Sequence, residues 1–229
     1  MKLAVSWSGG KDSCLACHKA GASGHEVAVL LNLISKDINK CCFHGIDAEL
    51  LRAQAASMGI PLLQKEASRD MHDYETEFKS ALALLRDNYG VEGAVFGDIY
   101  LDEHKEWVER VCAESGLKAL EPLWNMPVET VINEFIGAGF KAAIVSAKAD
   151  LFGQETLKRD IDMSFVNELK SRNIDLCGEN GEFHTFVYDG PNFKNAIALG
   201  ETCNCLVDGF WKHWSLEINS FSIKDKTLR

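Results

Sequence analysis

Near the amino terminus, Ser6-Trp7-Ser8-Gly9-Gly10-Lys11-Asp12-Ser13 brings together groups that suit a phosphate chain. Adjacent glycines let backbone N–H groups approach an anion, and a helix starting there adds the partial positive charge of its N-terminus. Lys11 supplies a cation, and Ser8 and Ser13 supply hydroxyl donors. Two common phosphate loops are excluded. In a Walker loop, Gly-x-x-x-x-Gly-Lys-Ser/Thr, a glycine would stand at Val5 and a hydroxyl residue at Asp12. The dinucleotide fingerprint Gly-x-Gly-x-x-Gly fails because Gly9 and Gly10 are adjacent and no third glycine follows at the required distance.

A second reactive stretch, Cys177-Gly178-Glu179-Asn180-Gly181-Glu182-Phe183-His184-Thr185-Phe186-Val187-Tyr188-Asp189-Gly190-Pro191, reads as a glycine-rich loop running into a strand. Loops on a rigid support commonly carry binding groups. Glu179 and Glu182 could orient a cationic or amide-bearing ligand, bind Mg²⁺, or take a proton from ammonium, and His184 could share the proton task near neutral pH. A hydrogen-bonded loop that only folds its own domain is the plainer reading, and the residues alone leave it open.

The elements that must position these groups alternate. Strand-like runs at 3–7, 27–34, 60–63 and 91–96 are interleaved with helical patterns at 13–22, 47–58, 74–88 and 102–115. That alternation predicts an α/β fold, a Rossmann-like parallel sheet with helices on both faces. Ligands in such sheets sit beyond the carboxyl ends of the strands, where Ser8-Gly9-Gly10 and Gly97-Asp98 fall. After Pro122-Leu123-Trp124 the character changes: a helix from Pro127, a strand at 140–146, a helix at 163–172, then β-rich runs at 185–188, 196–207 and 213–223. The predicted organisation is a nucleotide domain over 1–123 and a smaller α+β domain over 124–229.

Composition narrows the function classes. Lys and Arg total 24 against 34 Asp and Glu, a net charge of −10, so stable nucleic-acid binding through phosphate neutralisation is not expected. No apolar run reaches the roughly 18–20 residues of a membrane span, and no export signal is visible, so a cytoplasmic protein with reduced thiols is expected. Cys14 and Cys17 have metal or redox spacing, with Cys41, Cys42 and His44 as conceivable partners; small buried hydrophobes are the plainer reading. Trp211, Trp214, Phe210 and Phe221 are expected in core or dimer packing, and a homodimer is left open.

Ser8-Gly9-Gly10-Lys11-Asp12-Ser13 resembles the Ser-Gly-Gly-x-Asp-Ser signature of the PP-loop, or N-type ATP pyrophosphatase, superfamily (adenine nucleotide alpha-hydrolase-like). The resemblance implies that ATP is cleaved between its α and β phosphates, with Mg²⁺ on the phosphates and Asp12 as its ligand. Together with Gly178-Glu179-Asn180-Gly181-Glu182-Phe183-His184-Thr185-Phe186-Val187, the chain resembles the diphthine–ammonia ligase (diphthamide synthetase) family. The likeness runs through Gly97-Asp98, Glu109-Arg110-Val111-Cys112, Pro122-Leu123-Trp124 and Phe193, nearly the full length. It implies an ATP-dependent amidation in which the carboxylate of diphthine on elongation factor 2 becomes an amide, ammonium gives the nitrogen, and AMP and pyrophosphate leave. Ser6, Ser8, Gly9, Gly10, Lys11, Asp12, Ser13, Gly97 and Asp98 are then expected at the nucleotide, and Lys11, Glu179, Glu182 and His184 in catalysis. Alternatives are the same chemistry on another acid, such as a cobalamin-related carboxylate; a tRNA-modifying thiolase or ligase; and a non-catalytic ATP-binding module.

Overall fold

The structure is a computed structural model that describes residues 1–36, 38–42, 44–68, 70–208 and 211–226. Contacts divide it into two compact units, Met1–Ser8 with Asp12–Asn125, and Gly9–Lys11 with Met126–Arg229.

The first unit contains β1 (Lys2–Ser6), β2 (Glu26–Ser35), β3 (Leu62–Ala67), β4 (Gly93–Val95) and β5 (Lys118–Leu120). They form one parallel sheet in the order β3-β2-β1-β4-β5. Between the strands run α1 (Lys11–Ala22), α2 (Ala48–Met58), α3 (Met71–Tyr89) and α4 (Asp102–Glu114). The apolar run in β2 is buried from Val29 to Ile34, as a strand covered on both faces requires. Val29, Leu31 and Leu33 join Phe78, Leu82 and Leu85 of α3 and Val108, Val111 and Cys112 of α4 in one core. Leu30 alternates with them along the strand and is buried on the opposite face.

Helix ends follow the local chemistry. Asp47 caps α2 by accepting the Glu49 N–H, and Asp70 caps α3 by accepting those of His72 and Asp73. Gly59 (φ 73°) and Gly90 (φ 64°) close the same helices in the left-handed region. Helices α3 and α4 are joined by Glu75, whose carboxylate accepts from Arg110 at 2.6 and 2.8 Å, from Trp107 Nε1 at 2.9 Å and from Lys79 at 2.6 Å.

The second unit holds α5 (Val128–Gly137), β6 (Lys141–Lys148), a 3-10 turn (Gln154–Thr156), α6 (Met163–Ser171), β7 (Phe183–Asp189), β8 (Asn195–Leu199), β9 (Thr202–Asp208), β10 (Lys212–Ile218) and β11 (Phe221–Asp225). Its main sheet is antiparallel, in the order β7-β6-β10-β9, and β11 pairs with β8 in a separate ribbon. Phe183 packs edge to face on both Phe152 and Phe165 in its core, with Phe165–Phe183 centroids 5.4 Å apart.

The structure refines the sequence reading of the strands: β5 has no counterpart in it, and the β-rich runs at 196–207 and 213–223 each resolve into two strands. The breaks at Gly200-Glu201 and Asn219-Ser220 are bonded to each other: Gly200 N–H to Ser220 O at 2.9 Å, Glu201 N–H to Ser220 Oγ at 2.9 Å, and Asn219 N–H to Glu201 O at 2.9 Å. A side chain at Gly200 would collide with the Ser220 hydroxyl. This double corner carries both segments out of the four-stranded sheet and into the ribbon. Trp214 lies on β10 and Phe221 on β11, in different sheets, while Phe210 lies outside the described residues. No helix among the described residues is long and apolar enough to cross a membrane.

Candidate functional site

In the first unit the loop leaves β1 at Ser6, and its entry is fixed by buried polar partners. Trp7 Nε1 donates to Gln54 Oε1 at 2.9 Å, and the Trp7 carbonyl accepts from Asn32 Nδ2 at 2.9 Å. Gln54 and Asn32 are 0% and 1% exposed, so these bonds have no competition from water. Neither residue was singled out in the sequence. Ser8 and Ser13 hydroxyls lie 3.2 Å apart, and Asp12 Oδ1 is buried. Gly97, just past β4, packs on the start of α1: a Cβ there would stand 2.8 Å from the Asp12 carbonyl carbon and 3.0 Å from Ser13 N. Gly97 thus meets Asp12 and Ser13 at the carboxyl edge of the sheet. Asp98 Oδ1 lies 3.1 Å from His104 Nδ1.

Gly9–Lys11 pack with the second unit. Gly9 takes φ 78°, a conformation that favours glycine. Its carbonyl accepts from Val187 N–H at 2.9 Å, and the Lys11 N–H donates to Thr185 Oγ1 at 3.0 Å. The Lys11 side chain is buried, donates to the Cys177 carbonyl, and lies 5.4 Å from the centroid of Phe183.

The Glu/His element is a turn built on Asp175, whose Oδ1 accepts N–H groups of Cys177 at 2.8 Å, Gly178 at 2.7 Å and Glu179 at 3.4 Å. Gly178 (φ 69°) is also pressed against Phe183, whose carbonyl oxygen a Cβ would approach to 2.9 Å. The Glu182 carboxylate accepts from Asn180 N–H at 3.0 Å and from Asn180 Nδ2 at 3.3 Å. Lys148 donates to the Asn180 carbonyl at 2.8 Å and lies 5.1 Å from the centroid of Trp211. His184 and Thr185 stand on β7, paired with β6. Lys11, Cys177 and Thr185 are therefore brought together. The structure adds Asp175 as the organiser of the turn, which from sequence is one acidic residue among many.

Asp12, Ser8 and Ser13 offer hard oxygen atoms, and among the described residues no group of three His, Cys, Asp or Glu side chains could cage a metal ion. One carboxylate is the usual protein share of a Mg²⁺ that is otherwise held by phosphates and water. Cys14 and Cys17 lie on α1 and are buried. Burial pushes Cys17 up to about 12, and burial with the nearby Cys17 and Asp12 charges raises Cys14 as well. Neither thiol therefore ionises readily.

A parallel sheet in the order 3-2-1-4-5 with helices between its strands defines an α/β protein of the Rossmann-like class. Residues 1–119 match the Diphthamide synthase N-terminal domain and residues 127–226 the Diphthamide synthase C-terminal domain. The chain belongs to the diphthamide synthase family. It is 27% identical over 243 residues to a protein of Danio rerio named diphthine–ammonia ligase, covering 96% of this chain and 95% of that one. A Homo sapiens protein of the same name is 28% identical over 221 residues, covering 87% and 83%. A solved structure described as a predicted subunit of tRNA methyltransferase from Methanocaldococcus jannaschii superposes with a TM-score of 0.49 at 17% identity, covering 83% of this chain and 98% of that one.

Proposed function

We propose that this protein is an ATP-dependent, AMP-forming amide ligase, and that its acid is diphthine on elongation factor 2. The observation that carries the reading is the Ser8–Ser13 loop at the carboxyl end of β1, opening α1, in a chain whose two halves both match the family. In the first step an oxygen of the acid's carboxylate attacks the α phosphorus, the bond to the bridging oxygen breaks, and pyrophosphate leaves. Lys11 and the loop N–H groups stabilise the charge gathering on the phosphates. Asp12 would hold Mg²⁺, which would neutralise phosphate charge when bound, and the Ser8 and Ser13 hydroxyls would donate to the phosphates. Gly97 lets the strand edge approach Asp12, and Asp98 faces the same edge. In the second step the nitrogen lone pair attacks the acyl carbon, the bond to AMP breaks, and nitrogen sheds its surplus protons. Glu179, Glu182 and His184 are the groups proposed to receive them.

The test is release of AMP and pyrophosphate from ATP, Mg²⁺ and ammonium, with and without diphthine-bearing elongation factor 2. Stimulation by that protein, with a loss of about one dalton as a hydroxyl-sized group is exchanged for an amine, supports both reaction and acid. AMP formation indifferent to it keeps the ligase and removes diphthine, and ADP formation removes the ligase. The same chemistry on another acid is the second reading, favoured by the 27–28% identity to the named ligases.

A further inference from the structure

Immediately after β5 the chain turns Glu121 inward, and only 5% of its side chain is exposed. Its Oε1 lies 3.7 Å from Lys105 Nζ. Its Oε2 is buried, and among the described residues no group gives it a hydrogen bond. Lys105 is shared, lying 3.2 Å from Glu109 Oε1 and 4.7 Å from the centroid of Trp124. Asp98, at the end of the neighbouring strand, is close enough for its charge to be felt at Glu121. Lys105 is thus shared by the carboxylates of Glu109 and Glu121, while Asp98, whose charge also reaches Glu121, lies 3.1 Å from the imidazole of His104.

A buried carboxylate oxygen with no donor is costly, so the site calls for a group that brings one. The surplus of negative charge calls for a cation. Burial, reinforced by the charges of Asp98 and Glu109 and opposed by that of Lys105, pushes the Glu121 carboxyl up, and a bound cation would supply the missing counter-charge. A divalent metal fits poorly, since among the described residues no three ligands converge and an ammonium group already occupies one side. A quaternary ammonium brings charge without a donor. A compact cation with N–H groups brings both, and the face of Trp124, which already attracts Lys105, suits it.

We propose that Glu121 Oε2, with Asp98 and Trp124 beside it, binds the ammonium ion that supplies the nitrogen of the amide. This rests on the reading of the protein as an ammonia-using ligase. It places the capture of ammonium at the carboxyl edge of β4 and β5, in the first unit.

The test is thermal melting of the full chain in ammonium, sodium and tetramethylammonium chlorides at equal ionic strength, for the wild type, Glu121→Gln and Glu121→Ala, together with the ammonium and ATP KM values for AMP formation. Ammonium at about ten times its Kd should raise the wild-type Tm by about 2–6 °C over the other two salts, and both substitutions should abolish the difference. The ammonium KM should rise at least about tenfold in Glu121→Gln while that for ATP stays put. Equal melting of the wild type in all three salts overturns the site, a result that does not depend on how the variants fold. An ammonium shift that survives both substitutions overturns it too. A shift present in the wild type and lost in the variants, without ammonium-dependent AMP formation, keeps the site and removes the ligase reading instead.

Discussion

Replacing Lys11 with methionine separates a catalytic lysine from a structural pin. The Lys11 ammonium is buried, bonded to the Cys177 carbonyl and 5.4 Å from the centroid of Phe183. A charge-assisted hydrogen bond contributes about 1.5–3 kcal/mol and a desolvated cation–π contact about 2 kcal/mol. Against these stands a desolvation cost of several kcal/mol for a buried ion. The terms nearly cancel, and methionine fills similar space without the charge. Its main penalty is the Cys177 carbonyl left without that donor, about 1–3 kcal/mol. Stability should therefore change by no more than about 3 kcal/mol, a Tm shift of at most about 6–12 °C at this size. Pyrophosphate release should fall about 10²–10³-fold, the usual effect of deleting one group that stabilises charge in a transition state. Thermal melting and a pyrophosphate assay on the same preparation provide both numbers. Undiminished pyrophosphate release, with destabilisation beyond about 3 kcal/mol, would refute the reasoning and make Lys11 a pin.

Gly97→Ala should push the Asp12–Ser13 backbone, cost about 1–3 kcal/mol as overpacking does, and weaken ATP binding measured by calorimetry. Glu182→Gln keeps one of the bonds to Asn180 and should depress amide formation more than ATP binding; equal loss of both would remove its proton-handling role. With iodoacetamide at about pH 8, near the free thiol pKa, exposed Cys203 should be alkylated first. Cys14, Cys17 and Cys41, whose thiols burial pushes up (the last two to about 12), should react only after denaturation, as read by peptide mass spectrometry. Bonds from Arg110 and Lys79 hold Glu75 well below the usual carboxylate range, so its contribution is present above the unfolded pKa of about 4.3 and is lost as pH falls below it. The Tm gap between the wild type and Glu75→Gln should accordingly narrow on acidification below about pH 4.

The parts of this architecture visible in the sequence are those set by local physics. The run in β2 is apolar because both faces are covered, and the glycines of the loop sit where the backbone turns. β5 escaped because Lys118-Ala119-Leu120 carries no periodicity, and its identity as a strand comes from pairing with β4. The corners at Gly200 and Ser220 escaped for the same reason, since each break is defined by its bonds to the other. Gln54, Asn32 and Glu121 are polar residues whose meaning lies in burial, and burial is set by segments distant in sequence. Lys105 carries no signal in the sequence and Trp124 enters it only through the run Pro122-Leu123-Trp124, while Glu121 gives the two a common neighbour in the fold.

The two sequence signatures are far apart in the chain, yet part of the first packs with the second. A backbone bond from Val187 N–H to the Gly9 carbonyl and one from Lys11 N–H to the Thr185 hydroxyl attach loop residues to β7, and Lys11 Nζ reaches the carbonyl that opens the Glu/His turn. The N–H of Lys11 opens α1, and such N–H groups lack partners within their own helix. Thr185 supplies the partner, so this N–H is committed to the protein. Thr185 therefore has a role that its place beside His184 disguises: it ties the loop backbone at Lys11 to β7. This explains a hydroxyl buried in β7, at a position where valine would pack as well but would remove the acceptor that Thr185 offers to the Lys11 N–H.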